Sequence, residues 1–338
     1  MTRAGIAIVC VAAAAAVLPV PAGTVERWYS SLAYPALQRV LTPVSNAVPF
    51  ALFDVLCVLA VCVFAVASHR QVRRFGWRRG LARLGGFMLV GAASVYLVFL
   101  ATWGLNYRRV PIVEKVAYDP ARIGRSSAQA FGDANAATLN RLYASAHASA
   151  LSLDALKASF DTATRRMGTP GSVTAGRPKE TLLGGYFHQI SVAGMTDPFF
   201  LETLVAPDLF EVERPFVIAH EWAHLAGYAD ESDANYIAWL TCRHGDALAQ
   251  YSAALIMMGY AHPSRPLREA LDIGPRIDLW QMGYRYAHTN ATLRFAAQRG
   301  YDTYLKANRV EKGFESYDAV LQLILGTELD LDGYPRRR

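Results

Sequence analysis

Ile218-Ala-His-Glu-Trp-Ala-His-Leu-Ala-Gly-Tyr-Ala-Asp-Glu-Ser-Asp-Ala-Asn-Tyr236 is the stretch on which the reading of this chain turns. It contains His220-Glu221-x-x-His224. On a helix, residues i and i+4 stand one turn apart on the same face. Two imidazoles so placed can reach one Zn²⁺ at about 2.0–2.1 Å. Glu221 falls beside such a metal rather than on it, where it can take a proton from a zinc-activated water. A string of this kind arises by chance in roughly one chain in a hundred of this length, so its surroundings must support it.

Pro215 suits the first turn of a helix, and Phe216, Val217 and Ile218 supply a face to bury. Gly227 is placed as a C′ glycine, so the helix stops just after its second histidine. Asp230 to Ser232 are good N-cap residues for a following helix through Cys242. The break returns acidic residues toward the histidines. Glu231 begins Glu231-Ser-Asp-Ala-Asn235, similar to the Glu-x-x-Ala-Asp helix of gluzincin membrane proteases, and is the expected third ligand. Asp230, with the His-x-x-Gly-x-x-Asp spacing of metzincin-like sites, is the alternative, and Asp233 a further acid nearby. Asn235 lies one turn beyond Glu231, where it can accept a hydrogen bond from the free N–H of His220 or His224. A row of acids at a helix N-terminus also complements the dipole, but that accounts for the acids and not for the histidines.

Upstream, the chain changes character. Of its 338 residues 53% are hydrophobic, and the apolar ones crowd into the first hundred. Three spans are expected, at about 4–20, 49–67 and 84–105. The first also has the look of a cleaved signal peptide behind Arg3, but the two spans after it favour a retained helix. Asp54 sits near the start of the second, within reach of headgroups. Between the second and third lie Arg70, Arg73, Arg74, Arg78, Arg79 and Arg83 with no acid among them. By the positive-inside rule that loop is cytoplasmic and everything after about Asn106 is extracytoplasmic, although Arg108 and Arg109 on the outer side run mildly against it. Trp103 and Tyr107 bracket the exit of the third span as interfacial aromatics.

The expected division is 1–105 transmembrane region and 106–338 extracytoplasmic zincin-like domain. In the latter, 106–120 reads as an extended linker and 126–159 as one or two helices. Leu182 to Ala193 and Phe199 to Val205 read as strands about a turn at Gly194–Pro198. A small sheet before the motif helix is what zincin folds have, and its edge can pair with an extended peptide. His188, alone in a strand, reads as a structural or surface residue. Helices are expected over 247–260, 268–289, 291–299 and 316–325, with the aromatic-rich runs Leu279–Tyr286 and Tyr301–Lys306 as core packing and a disordered tail at Arg336–Arg338.

The net charge of +6 is local to the arginine loop, and no basic stripe interleaved with aromatics marks a nucleic-acid surface. Cys10, Cys57, Cys62 and Cys242 form neither a disulfide framework nor a Cys-x-x-Cys knuckle.

Three features taken together resemble a bacterial membrane family known only as a domain of unknown function (number 3810) and regarded as zincin-like. They are the span ending Trp103-Gly-Leu-Asn-Tyr-Arg-Arg109, the segment His220–Tyr236, and Tyr304-Leu-Lys-Ala-Asn308 with Gly313-x-x-Ser-Tyr317. The resemblance implies an acidic residue at Glu231 and an Ala-Asn pair at Ala234-Asn235; Asp233 stands where the pattern has Glu. It implies no substrate.

The expected architecture is an α-helical membrane region of about three spans plus an α+β, mainly helical zincin-like domain with a small sheet. The expected activity is a membrane-anchored zinc metallopeptidase of the bacterial inner membrane, multi-pass, acting outside the cytoplasm on a peptide or protein of the cell envelope. The lipid bilayer is its other partner. His220, His224 and Glu231 would hold Zn²⁺, with Glu221 as general base. The competing expectations are an inactive zincin-like membrane scaffold and a zinc hydrolase or amidase of the envelope. Arg285, Tyr286, His288 and Tyr317 are the candidate oxyanion donors.

Overall fold

The computed structural model describes residues 1–260, 265–307 and 319–338. The chain is mostly helical. From the N-terminus come α1 (Arg3–Val17), α2 (Ala22–Asn46, with a π-helical stretch at Glu26–Ala33) and α3 (Leu52–Thr102). Next are α4 (Arg125–Ala148), α5 (Leu153–Arg166) and α6 (Gly184–Ile190). The central pair is α7 (Arg214–Leu225) and α8 (Glu231–Arg243). Then follow α9 (Ala247–Tyr260), α10 (Ile273–Ala287), α11 (Ala291–Ala307) and α12 (Ala319–Gly326). The strands β1 (Pro178–Lys179), β2 (Gly194–Asp197) and β3 (Glu202–Val205) make a small mixed sheet in the order β1-β3-β2.

Among the described residues one helix, α3, is long and apolar enough to cross a membrane. It is not straight. Gly76 leaves helical backbone at φ 74°, ψ 171°, a conformation open to glycine. A Cβ on Gly80 would lie 2.8 Å from the Gln71 carbonyl. Nine residues of straight helix would separate those groups by about 13 Å, so the chain doubles back at Gly76. The stretches expected as spans at 49–67 and 84–105 fall on the two arms of this one element. The first expected span, at about 4–20, coincides with α1, whose 15 residues are fewer than the about 20 of a typical span. It qualifies only as a bent pair with α2, at 116°.

α8 packs on α7 and α5, and α9 packs on α4 and α7. The core does not stop at residue 105. Tyr34, Phe99, Leu100 and Trp103 share one cluster with Ile218, Trp222 and Leu225. Buried polar bonds also cross that point. Lys179 and Glu202 pair at 2.5 Å, and the Glu202 carboxylate accepts the first N–H groups of α3, from Leu52 and Phe53. Asp54 accepts from Thr181 Oγ1 (2.6 Å) and Leu182 N (2.8 Å) rather than reaching headgroups, because the domain rests on the start of the span.

Four local expectations are corrected. Residues 184–190 are helix α6, not strand, and the turn lies after β2 instead of at Gly194–Pro198. In a short apolar run, periodicity does not separate helix from strand. Residues 106–120 are not a free linker: Val116 and Tyr118 bridge to Arg337 and Thr327. The arginine tail is held by the same pairing, with Ala117 N donating to Arg336 O at 2.7 Å.

Candidate metal centre

α7 exists because its apolar face has a core to enter. Phe216, Ile218, Ala219 and Trp222 are buried, and Trp222 Nε1 donates to Gly176 O at 2.8 Å. Pro215 sits in the first turn, where its missing N–H costs nothing. The helix ends in a Schellman motif: Tyr228 N donates to Ala223 O at 3.0 Å and Gly227 N to His224 O at 2.9 Å. Gly227 takes φ 83°, and a Cβ there would meet Asn106 Oδ1 at 3.0 Å. This turn also does something for the histidine before it. It brings the Tyr228 carbonyl back to His224, whose Nδ1 donates to it at 2.7 Å. Neutral His224 therefore presents its lone pair at Nε2.

That Nε2 lies 3.1 Å from His220 Nε2. Glu231 Oε2 completes the group, 3.2 Å from His220 Nε2 and 3.7 Å from His224 Nε2. Two ligand atoms on a tetrahedral centre at bond lengths of about 2.0–2.1 Å lie about 3.3 Å apart, so the three separations suit one small cation. Glu231 Oε2 is buried and accepts no aligned hydrogen bond. Among the described residues these three form the cluster that could hold a metal ion. Their spacing alone does not choose the metal.

The charges agree with that grouping. Burial works against ionised Glu231, but the two imidazoles outweigh it and hold the carboxyl well below its usual range. Burial also disfavours charge on His224; Glu231, Glu221 and the Tyr228 carbonyl overcome it and raise the imidazole to about 9.

Glu221 is buried next to the cluster and is not one of its three ligating groups. Thr196 Oγ1, on β2, lies 2.8 Å from its Oε2 and 2.9 Å from its backbone carbonyl. A side chain at Gly194 would strike Glu221 Oε1 at 2.7 Å. Burial pushes the Glu221 carboxyl up, against His220, His224 and Thr196, which pull it down. β2 thus holds the carboxylate from one side.

Asp230 is placed as the N-cap of α8, its Oδ1 accepting from Ser232 N (2.9 Å) and Asp233 N (3.3 Å). A cap residue's side chain turns onto its own helix end, whereas Glu231, one residue on, points at α7. Asp233 accepts from Ile112 N at 3.1 Å. The hydrogen bond expected between Asn235 and a ligand histidine is corrected: Asn235 Nδ2 donates to the Tyr260 hydroxyl at 3.2 Å, and the N–H of His224 goes to Tyr228. The outer support of Glu231 comes from Tyr301 of α11, whose hydroxyl donates to Oε1.

Of the oxyanion candidates, Arg285 is committed to Glu213, with both nitrogens at 2.6 Å, and to Asp208 O at 2.9 Å. Its neighbour Tyr286 lies under Arg294 at 4.1 Å, and His288 Nδ1 contacts Tyr284 O at 2.8 Å. Tyr317 lies outside the described residues. His188 pairs with Asp208 at 2.7 Å, in a cleft shared with Arg285 and Tyr286 that no metal-cluster residue lines. Sequence reading missed Thr196, Tyr228 and Tyr301. The first two act through register and a backbone carbonyl, which leave no residue signature. Tyr301 was visible, but only as one aromatic in a run that reads as core.

The loop between α7 and α8 is clamped from the N-terminal side. Trp103 Nε1 donates to His224 O at 3.0 Å and Tyr34 OH to Leu225 O at 2.9 Å, serving the last two carbonyls of α7 from outside the helix. Arg109 donates to Gly227 O at 2.8 Å while paired with Glu26.

A family model described as a protein of unknown function (DUF3810) matches residues 29–325. The match takes in α7, the turn and α8, and the chain belongs to that family. No curated protein and no solved structure matches it.

Proposed function

We propose that this member of the DUF3810 family is a membrane-anchored zinc-dependent metallopeptidase of the bacterial inner membrane, with its active site outside the cytoplasm. The observation that carries the reading is the convergence of His220 Nε2, His224 Nε2 and Glu231 Oε2 beside a buried glutamate left free of the cluster. Two imidazoles and one carboxylate are a catalytic zinc donor set, three ligands with a fourth position open. Zinc supplies Lewis acidity, acidifying a water and polarising the scissile carbonyl.

The chain's own residues do the rest. Tyr228 O fixes the tautomer of His224, and Tyr301 fixes Glu231. Glu221 accepts the proton of the attacking water and passes it to the leaving amine. Burial suits it to both roles by raising its proton affinity. Among the described residues β2 pairs with β3 on one side only, and its other edge is where an extended peptide would add. A peptide laid there passes alongside Thr196, and so alongside Glu221. Multi-pass anchoring by the two arms of α3, with α1 packed against them, keeps the arginine-rich turn on the cytoplasmic side.

Glu221→Gln tests the assignment. The variant is expected to bind one zinc as the parent does and to lose hydrolysis by roughly 10²–10⁴-fold. His224→Ala is expected to lose the metal itself. A purified protein that takes up no zinc from metal-replete medium, or a Glu221→Gln variant that still hydrolyses at the parent rate, overturns the reading.

A further inference from the structure

α2 is amphipathic the wrong way round for a helix on a water-soluble domain. Its inward face buries Ser30, Gln38, Thr42 and Ser45 together with Tyr34. These are not accidental polar groups. Gln38 exchanges two hydrogen bonds with the Thr174 backbone, Thr42 donates to Leu201 O, and Ser30 donates to Asn106. The outward face carries Trp28, Leu32, Val40 and Val44, each 58–61% exposed. The exposed charged residues of α2 are Arg27 and Arg39, both cationic. An apolar face with basic residues beside it is the pattern of a helix lying in an anionic bilayer surface.

The neighbours fix its orientation. α2 is bent by 116° from α1. If α1 stands along the bilayer normal, α2 is inclined by only 116 − 90 = 26° to the bilayer plane. Its exposed face runs on into Phe50 and the lipid-ready surface of α3, where Val55, Val58 and Leu59 are exposed. The buried face leads directly to the metal centre. Tyr34 of α2 and Trp103, just past the end of α3, hold the carbonyls at the C-terminus of α7, within one residue of His224.

We infer that α2 lies flat in the outer surface of the bilayer, with Trp28, Leu32, Val40 and Val44 among the acyl chains. The metal centre above it then acts on polypeptide where that polypeptide leaves the membrane. The second half deepens the peptidase reading and rests on it; the first half does not. A centre one hydrogen bond from a span's end meets a substrate within its first residues outside the lipid. At about 3.3 Å per extended residue, ten residues already reach about 33 Å from the surface.

The experiment has two arms. Spin labels are placed on the full-length protein at Trp28→Cys, Val40→Cys and Val44→Cys, with Cys10, Cys57 and Cys62 replaced by Ser. A control label at Glu211→Cys sits before the opposite end of α7. In vesicles of zwitterionic and anionic phospholipid, the α2 labels are expected to collide with lipid-dissolved oxygen more than with a water-soluble nickel chelate, and the control the reverse. Labels on α2 that read as aqueous overturn the placement. So do labels shielded from both probes in a dimer, which would assign this face to a second copy. In the second arm, a single-span protein with a long randomised linker is offered in the same vesicles, and the cuts are mapped. Cuts confined to about the first ten linker residues are expected. Cuts spread along the linker, or equal cutting of the linker free in solution, overturn the substrate assignment. Lipid-exposed labels with no cuts at all refute the peptidase reading while upholding the position of α2.

Discussion

α7 and α2 bury opposite kinds of side chain: α7 is enclosed almost throughout, whereas α2 has one face in and one face out. α7 buries Phe216, Ile218 and Trp222; α2 buries Ser30, Gln38 and Thr42 and turns Trp28, Leu32 and Val40 outward. Burial in α7 removes apolar surface from water, at about 25 cal/mol per Å². In α2 the outward side need not leave water if lipid covers it, so the inward side is free to be a hydrogen-bonding surface. The two helices meet at Tyr34, whose hydroxyl reaches from the polar face of one to the C-terminal carbonyl of the other. Amphipathicity therefore says that a helix has two sides, and only the surrounding medium says which one is the inside.

Two tryptophans give the widest separation. Trp222→Ala is expected to cost about 3–5 kcal/mol, measured by chemical denaturation in detergent, because it empties the core and orphans Gly176 O. Trp28→Ala is expected to change the same measurement by about 0.5 kcal/mol or less. Equal costs for the two would erase the contrast.

The pH dependence of metal binding comes next. Below about 9, His224 of the metal-free protein carries a proton that an incoming ion must displace. Apparent zinc affinity is expected to fall about tenfold per pH unit, hence about a hundredfold from about pH 8 to about pH 6, in titrations with a competing chelator. Without metal the sign reverses. A histidine whose folded pKa is raised to about 9 contributes fully to stability below its ordinary 6.5, and that contribution is lost as pH rises through 9. Thermal melts with and without zinc should therefore move in opposite directions across that window. Parallel movement would break the assignment.

Gln38→Leu sharpens the comparison from the other helix. A conventional core would gain from the change. Here it leaves the Thr174 N–H and carbonyl without partners, and a loss of about 1–3 kcal/mol is expected. Gly227→Ala is expected to cost about 1–2 kcal/mol for a left-handed alanine, and to weaken zinc binding as the Tyr228 carbonyl shifts. A variant destabilised with unchanged zinc affinity would separate the turn from the site.

By itself, the sequence was enough to place the motif helix, its glycine stop, the acid-rich start of the next helix and the long apolar stretches. Each of these is written in local spacing, at 3.6 residues per turn or as a run of uniform hydropathy. Tertiary structure set Asp230 and Glu231 apart, because one carboxylate caps α8 and the other faces the two histidines of α7. It put Thr196, Tyr228 and Tyr301 around the cluster and replaced Asn235 in the role expected of it. It also joined the N-terminal helices to the domain through Tyr34, Trp103 and Lys179. These are contacts between residues far apart in the chain, made by backbone carbonyls and by the direction a side chain takes from its helix. No spacing within a single element encodes them.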